Sequence, residues 1–397
     1  MRHFHDFELK GQRVVKRVDI NSPIDERGEI MSNPRLERHG ESIRRLSDAG
    51  AKVIVIAHQG RAGKSDFVSL FDHARLLERI TQRQVQFIPT IDPEKVRHGI
   101  EQMENGDILL LENVRMWAGE EEKDHGKSLL VKTVAPIADI YILDALSVSH
   151  RDQASVVGFA GHLPSAAGPV LGDEMRALDT LGSGNLTLIL GGGKAKDSIK
   201  IMRKWLEEKK ARKVLLGGAI SILFLDAAGH NIADSHAYLK ANQLLEHKEE
   251  AKELLEKHKE FIVLPDDVAL DIDGERIEAR VNAIEKGEIK DIGENTMQRY
   301  HEEIIGAKHI VVNGPMGVYE KEEFGLGTKK VLGSIAESEA FSLVGGGHTI
   351  TAIKAFEIPE SKFSYVSLSG KALVQYLSGV DLPAIKALKA NRKSFPI

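Results

Sequence analysis

The sequence predicts an α/β protein of two domains, each an open, mainly parallel sheet with helices on both faces, joined by a hinge helix. Three observations carry this expectation. Short β-branched runs alternate with longer helical patterns along the whole chain. The 397 residues exceed what one hydrophobic core usually supports. The residues that close the runs also differ between the halves, arginine and histidine in the first and glycine in the second.

The first-half runs are Val14 to Ile20, Val53 to His58, Val85 to Ile88, Ile108 to Val114 and Ile140 to Leu146. At or just past their ends stand Asp19 and Asn21, His58 and Arg61, Asn113 and Arg115, and Asp144 and Arg151. Open parallel sheets bind ligands outside the carboxyl ends of their strands, so these groups are expected to converge on one crevice. Arg17, Arg35, Arg61, Arg115 and Arg151 each read singly as a surface arginine. As a set they suit an anion, because guanidinium forks bind carboxylate and phosphate oxygens bidentately.

Residues 162 to 181, HLPSAAGPVLGDEMRALDTL, pass from Pro, Gly and Ser into an amphipathic pattern expected to become helical near Gly172 or Asp173. The expected divisions are 1–165, a hinge helix over 166–185, 186–375, and a segment 376–397 packing back on the N-terminal domain. The second-half runs are Leu186 to Leu190, Val214 to Leu216, Phe261 to Leu264, His309 to Val312 and Ser342 to Val344. They end in GGGK (191 to 194), GGA (217 to 219), NGPMG (313 to 317) and GGGH (345 to 348). Such endings let backbone approach a ligand and turn helix N-termini toward phosphates, so this half is expected to bind a nucleotide. The charged stretches Glu246 to Glu260 and Glu285 to Lys290 read as solvated helix faces and turns with no function.

Composition narrows the chemistry. A net charge of -5 gives no polybasic signature for nucleic acid or anionic lipid, and the absence of cysteine excludes disulfides, thiol catalysis and cysteine-ligated zinc. The first twenty residues are charged throughout, and no run of about eighteen apolar residues occurs, so a cytoplasmic protein is expected. His3 and His5 read as terminal surface residues. Gly63-Lys64-Ser65 imitates the end of a Walker A loop, but His58 stands where its first glycine belongs. Gly182 and Gly184 begin a dinucleotide-like spacing, but they precede a strand and Thr187 fills the third glycine position.

Taken together, RVDIN (17 to 21), NPRLE (33 to 37), AHQGR (57 to 61), LLLENVR (109 to 115), LDALSVSHR (143 to 151), LILGGGKAKD (188 to 197), VVNGPMGVYE (311 to 320) and LVGGGHT (343 to 349) closely resemble the signatures of the phosphoglycerate kinases. They follow the family's order over nearly the whole chain. LPDDVALD (264 to 271) and the histidine of GGGHT resemble archaeal members.

The resemblance implies that Asp19, Asn21, Arg35, His58, Arg61, Arg115 and Arg151 hold the phosphoglycerate. It places Gly192, Gly193 and Lys194 at the nucleotide phosphates, Gly217 and Gly218 at the adenine, and Glu320 at the ribose. Asn313, Pro315 and Gly317 belong to that site, as do Gly345, Gly346, Gly347, His348 and Thr349. The implied reaction is 1,3-bisphosphoglycerate plus ADP giving 3-phosphoglycerate plus ATP, with Mg2+ accompanying the nucleotide and a hinge closing over both ligands. The implied partners are these small molecules, with neither nucleic acid nor membrane, for a monomer or homodimer.

Three positions depart from the family pattern. Ser198 stands where a second lysine is usual, His348 stands in place of the aspartate that binds the nucleotide magnesium, and SLSGKA (367 to 372) replaces a glycine-rich STGGGA. The protein ligands of the metal are therefore not assigned. A carboxylate acceptor needs no general base near neutral pH, which agrees with the absence of HRD and DFG motifs. Catalysis is expected to fall to Arg35 and Lys194, with Lys371 taking over from the lysine missing at Ser198. The departures also motivate an alternative, a non-catalytic nucleotide or metabolite sensor on the same fold, and fold likeness leaves open a weaker third reading, a kinase for a related small acid.

Overall fold

The computed structural model describes residues 1–182 and 184–396. They form two compact units, Met1–Met175 together with the stretch from Asp381 on, and Arg176–Val380. The first unit contains six strands, β1 (Arg13–Arg17), β2 (Lys52–Ile56), β3 (Val85–Ile88), β4 (Ile108–Leu111), β5 (Ile140–Leu143) and β6 (Ser165–Ala167). They lie in the order β3-β4-β2-β1-β5-β6, and every pairing is parallel. Val14, Val53, Val55, Leu110 and Ile142 pack with Leu36, Ile43 and Leu77 of the helices Pro34–Asp48 and Phe71–Thr81. Val15, Ile54, Leu109 and Tyr141, which alternate with them, are equally buried. Burial on both faces is why these strands read as continuous apolar runs.

The runs extend further in sequence than the strands do. β1 ends at Arg17, β2 at Ile56, β4 at Leu111 and β5 at Leu143. Past these points the chain leaves the ladder while still burying Val18, Ile20, Val114 and Leu146, so hydrophobicity continues where pairing stops. The boundary segment holds a strand that the sequence does not reveal, β6, and its helix runs Pro169–Leu181, starting earlier than Gly172. Proline suits the first helical turn, where its missing N–H leaves no bond unmade.

β1 is the central strand, and it buries a lysine on one face and an arginine on the other. Lys16 Nζ meets Asp144 Oδ2 at 2.6 Å and Ser42 Oγ at 2.9 Å, with both charged side chains fully buried. Ser42 also donates to Asp144 Oδ2, and His39 Nδ1 stands 3.9 Å from that oxygen. Asp144 Oδ1 accepts from the backbone of Val170 at 2.8 Å and Leu171 at 3.3 Å, so one carboxylate neutralises the lysine and caps the helix Pro169–Leu181. Burial raises the cost of ionising Asp144, but Lys16 and His39 outweigh it and hold the carboxyl well below its usual range. Burial also pulls the Lys16 ammonium down, against Asp144. The pair is charged because the carboxylate collects so many donors.

The second unit has a six-stranded parallel sheet of β7 (Leu186–Leu190), β8 (Ala211–Leu216), β9 (Ile262–Val263), β13 (His309–Asn313), β14 (Phe341–Gly345) and β15 (Tyr365–Val366). Its order is β15-β14-β13-β7-β8-β9. A three-stranded antiparallel sheet is inserted between β9 and β13, formed by β10 (Asp267–Ile272), β11 (Glu275–Arg280) and β12 (Glu288–Ile292) with β10 in the middle. The stretch Glu285 to Lys290 is therefore not a solvated turn, since its second half is strand β12. No helix of the described residues is long and apolar enough to cross a membrane.

The chain's last helix, Pro383–Ser394, belongs to the first unit. Its buried Asn391 donates to the carbonyls of Ala160 at 2.7 Å and Leu163 at 2.8 Å and accepts from Ser165 N at 2.9 Å. β6 is thereby held by a residue more than two hundred positions away.

Asp144→Asn should destabilise the first unit by about 3 to 5 kcal/mol, the usual cost of removing one partner of a buried ion pair. Denaturant unfolding monitored by amide exchange in β1 and β5 checks this, and a loss below about 1 kcal/mol would mean that Lys16 is buried uncharged. Because the Asp144 carboxyl is depressed in the fold, its contribution is complete above about pH 4 and is lost as the pH falls below that value.

Candidate active site

In the first unit the strand ends assemble one polar cluster. Asp19 follows β1 and takes Arg35 from the first turn of the helix Pro34–Asp48, with Nη1 3.3 Å from Oδ2. Asn33 caps that helix by accepting from Arg35 N and Leu36 N, which fixes where Arg35 departs. Asp19 also accepts from Ser147 Oγ and from Asn21 N, and Asn21 Oδ1 accepts from Gly60 N at 2.9 Å. Burial opposes the Asp19 charge, yet Arg35 and the Ser147 hydroxyl hold the carboxyl below its usual range.

His58 follows β2 between two guanidinium groups, with Arg17 Nη2 3.1 Å from Nδ1 and Arg151 Nη1 3.3 Å from Nε2. Burial and then Arg17, partly offset by Asp19, push its proton affinity well below the ordinary histidine value, so the ring is neutral at physiological pH. Arg17 is not a strand-end surface arginine. It lies wholly buried on β1, donates to Ser155 Oγ at 3.1 Å and serves as a support for His58. Arg61, Arg115 and Arg151 line a cavity of about 760 Å³ that Glu120, Glu121 and Glu122 also border. Arg115 donates to the Gly60 carbonyl. Burial, then Arg115 and Arg17, pull Arg151 down to about 10, while burial, then Arg17 and Arg61, lower Arg115. Cations that depress one another in this way make a site suited to an anion.

In the second unit four glycine-bearing loops leave β7, β8, β13 and β14 side by side. Gly191 N donates to Asn313 O at 3.0 Å, Gly192 N to Pro315 O at 2.8 Å, and Gly218 N to Met316 O at 2.6 Å. Gly314 N donates to Thr349 Oγ1 at 2.8 Å. Two of the glycines are required by geometry. Gly218 has φ +53° and Gly314 has φ +97°, and a Cβ would lie 2.5 Å from Gly192 N at the first and 2.3 Å from Gly191 O at the second. The loops enclose a cavity of about 230 Å³ lined by Gly192, Gly193, Gly218, Pro315, Gly317, Glu320 and His348. Gly217, Asn313, Gly345 to Gly347 and Thr349 are not among its lining residues.

His348 opens the first turn of the helix Gly347–Ala355, with Nδ1 3.8 Å from Glu320 Oε1 and 3.4 Å from the Tyr319 hydroxyl. Among the described residues no group of three or more His, Cys, Asp or Glu is arranged to hold a metal. Lys194 is the N-cap of the helix Ala195–Glu207, and Lys371 is the exposed first residue of the helix Lys371–Leu377 after the edge strand β15. Neither lysine is among the residues that line the cavity.

Sequence reasoning missed the wall formed by Tyr238, Glu288, Ile289 and Lys290. A signal for it was present. Asp273-Gly274, with φ +54° and +89°, makes the two-residue hairpin turn between β10 and β11, and Asp-Gly between alternating runs is a strong hairpin signal. Ser147 and Arg17 were missed as supports because their partners lie far off in sequence.

An NMR pH titration should find the His58 ring neutral at pH 6. A midpoint near 6.5 would mean that neither burial nor the two neighbouring guanidinium groups act on the ring.

The chain resembles known proteins over its whole length. A sequence model of the family described as phosphoglycerate kinase matches residues 4–380. The phosphoglycerate kinase of Methanopyrus kandleri is 38% identical over 392 residues, covering 96% of this chain and 96% of that protein. The phosphoglycerate kinase of Methanothermus fervidus is 39% identical over 397 residues, covering 98% and 97%. The crystal structure of phosphoglycerate kinase from Pyrococcus horikoshii OT3 superposes with a TM-score of 0.88 at 33% identity and full coverage of both chains. The structure of phosphoglycerate kinase from Coxiella burnetii superposes with a TM-score of 0.83 at 32% identity over 98% of each chain. With an arginine-rich site on one unit and a glycine cradle on the other, in the order its motifs require, this chain belongs to the phosphoglycerate kinase family.

Proposed function

We infer that the protein transfers a phosphoryl group between 1,3-bisphosphoglycerate and ADP, giving 3-phosphoglycerate and ATP. The observation that carries this reading is the set of four arginines at the strand ends, Arg35 beside Asp19, Arg151 beside His58, and Arg61 and Arg115 lining one cavity with Arg151. A three-carbon acid bearing a carboxylate and a phosphate offers two anionic groups to such forks. In this reading Asp19, Asn21, Arg35, His58, Arg61, Arg115 and Arg151 hold the phosphoglycerate. Neutral His58, held between Arg17 and Arg151, keeps the two guanidinium groups in place without adding charge. Asp19 holds Arg35 at the site.

On the second unit the loops at Gly192 and Gly193, with Lys194, take the nucleotide phosphates. Glu320 takes the ribose hydroxyls, and Gly217 and Gly218 lie under the base. Asn313, Pro315, Gly317 and the 345–349 loop complete the cradle. Magnesium enters as part of the substrate, bound to the nucleotide phosphates, and we assign it no set of protein ligands. His348 places an imidazole rather than a carboxylate beside the phosphates. We assign the reaction to the cytoplasm, a reading supported by the absence, among the described residues, of a helix long and apolar enough to cross a membrane.

The nucleophile is a carboxylate in one direction and a nucleotide phosphate in the other, so no proton must be removed from it. The protein's work is positioning and neutralising the charge that spreads over the moving phosphoryl group. Direct transfer between ligands held on separate units requires the units to close on each other. Arg35, Lys194 and Lys371 are proposed as the cations that act there.

Arg35→Ala should lower kcat by roughly two to three orders of magnitude with a smaller change in KM, as expected for one preorganised donor to a transition state. A coupled assay with ATP and 3-phosphoglycerate measures it, and a rise in KM alone would reduce Arg35 to a binding residue. In the same assay Lys371→Ala should cost roughly a hundredfold in kcat while Lys200→Ala costs little. Near-normal turnover of the Lys371 variant would remove that residue from the mechanism.

A further inference from the structure

Arg35 departs from the first turn of the helix Pro34–Asp48, and the chain that leads into that turn runs over the surface, with Glu26 to Glu29, Met31 and Ser32 exposed. Ser42 and His39 tie the helix to Asp144 only further along. A run of polar side chains holds the start. Gln59, fully buried directly after His58, meets the backbone of Ser22 twice: its Oε1 accepts from Ser22 N at 2.9 Å and its Nε2 donates to Ser22 O at 3.0 Å. Its own carbonyl accepts from Asn113 Nδ2 at 2.8 Å, which anchors it to the chain just past β4. The buried Ser22 hydroxyl donates to Ile20 O at 2.8 Å and accepts from Asn33 Nδ2 at 2.7 Å. Asn33 Oδ1 in turn accepts from Arg35 N at 3.0 Å and Leu36 N at 3.1 Å.

Each member of this run is specified by direction. A side-chain amide presents an acceptor beside a donor, so Gln59 matches the N–H and C=O of one residue in a single orientation. The Ser22 hydroxyl has given its proton to Ile20 and can only accept from Asn33. Asn33 is thereby held with its nitrogen toward Ser22 and its oxygen toward the helix, as a cap requires. A satisfied buried polar network fixes one arrangement of the groups it joins. Here it joins the two sides of the Arg35–Asp19 ion pair, because Ser22 lies three residues after Asp19, and Asn21 between them accepts from Gly60 N, next to Gln59.

We propose that Gln59 and Ser22 are positioning residues for Arg35: acting through the Asn33 cap, they set where its guanidinium stands relative to Asp19 and thereby govern turnover. The proposal rests on the reading of Arg35 as a cation that meets the moving phosphoryl group. Neither Gln59 nor Ser22 belongs to the set assigned to the phosphoglycerate, so their effect on the reaction passes through Arg35.

Initial rates with Mg·ATP and 3-phosphoglycerate test this on the full chain. Ser22→Ala removes the acceptor of Asn33, and Gln59→Met keeps the length of the side chain while removing both bonds to Ser22. Each should lower kcat by roughly tenfold while KM for either substrate changes by less than about threefold, the pattern of a misplaced transition-state donor. Ser22→Thr, which retains the hydroxyl, should keep kcat within about twofold of the unaltered protein. In the Arg35→Ala background neither Ser22→Ala nor Gln59→Met should lower kcat further, because a residue that acts through another loses its effect once that other is gone. Near-normal kcat in either variant would overturn the proposal while leaving the phosphoglycerate kinase reading intact. Losses that multiply with that of Arg35→Ala would do the same, as would a Ser22→Thr protein as slow as Ser22→Ala. If Gln59→Met does not fold, the comparison of Ser22→Ala with Ser22→Thr decides alone. An unaltered kcat in Arg35→Ala itself would overturn the reading of Arg35 and the proposal with it.

Discussion

The contact between Lys16 and Asp144 governs the first unit. A lysine in the middle of the central strand has no route to water, so the fold has to bring an anion to it. The carboxylate that answers this demand sits at the end of the neighbouring strand and is itself held by a serine and by the first N–H groups of the helix Pro169–Leu181. Gly168 is part of the same solution, because a Cβ there would lie 2.3 Å from Asp144 Oδ1. One buried charge thus fixes the relation between β1, β5, the helix that carries Arg35 and the start of the helix leading out of the unit. The opposite face of β1 repeats the arrangement with Arg17, Ser155 and Glu120, and there the buried cation supports His58.

The two units offer anions different surroundings, arginines in the first and glycine loops in the second. Guanidinium forks read the oxygens of a small acid whose carboxylate and phosphate point in different directions. Glycine loops suit a polyphosphate, because a backbone without side chains lets it approach closely and adds no side-chain entropy cost. Neither arrangement offers a strong base. A reaction whose nucleophile is already ionised needs none, and the neutral state of His58 between two arginines accords with that chemistry.

Much of this was legible in sequence because an open parallel sheet delivers its strand ends to one edge. A reader who finds Asp19, His58, Arg115 and Arg151 at the ends of apolar runs can infer a shared crevice without knowing the strand order. Glycine endings are legible for the same reason. The antiparallel insertion was obscured because ERIEAR alternates charge with apolar residues on an exposed strand, so its composition matches a solvated segment. Glu288 and Lys290 were lost with it. Arg17 was misplaced for another reason: sequence shows that an arginine closes a strand, but only packing shows that Tyr141, Ser155 and Glu120 enclose it. The true strand ends were also hidden, since Val18 and Ile20 stay buried beyond the last ladder bond.

Asn391 has a consequence for how the protein is made. The first unit is discontinuous in sequence, and the amide that secures β6 belongs to the final helix. During synthesis the ribosome releases the whole of Arg176–Val380 before that helix emerges. The second unit therefore has all of its parts while the first still lacks its fastening, which reverses the usual N-terminal-first order of domain completion. A nascent chain halted before Asp381 would hold a complete second unit beside a first unit whose β6 lacks its Asn391 contacts, and quality-control proteases act on such unfinished surfaces.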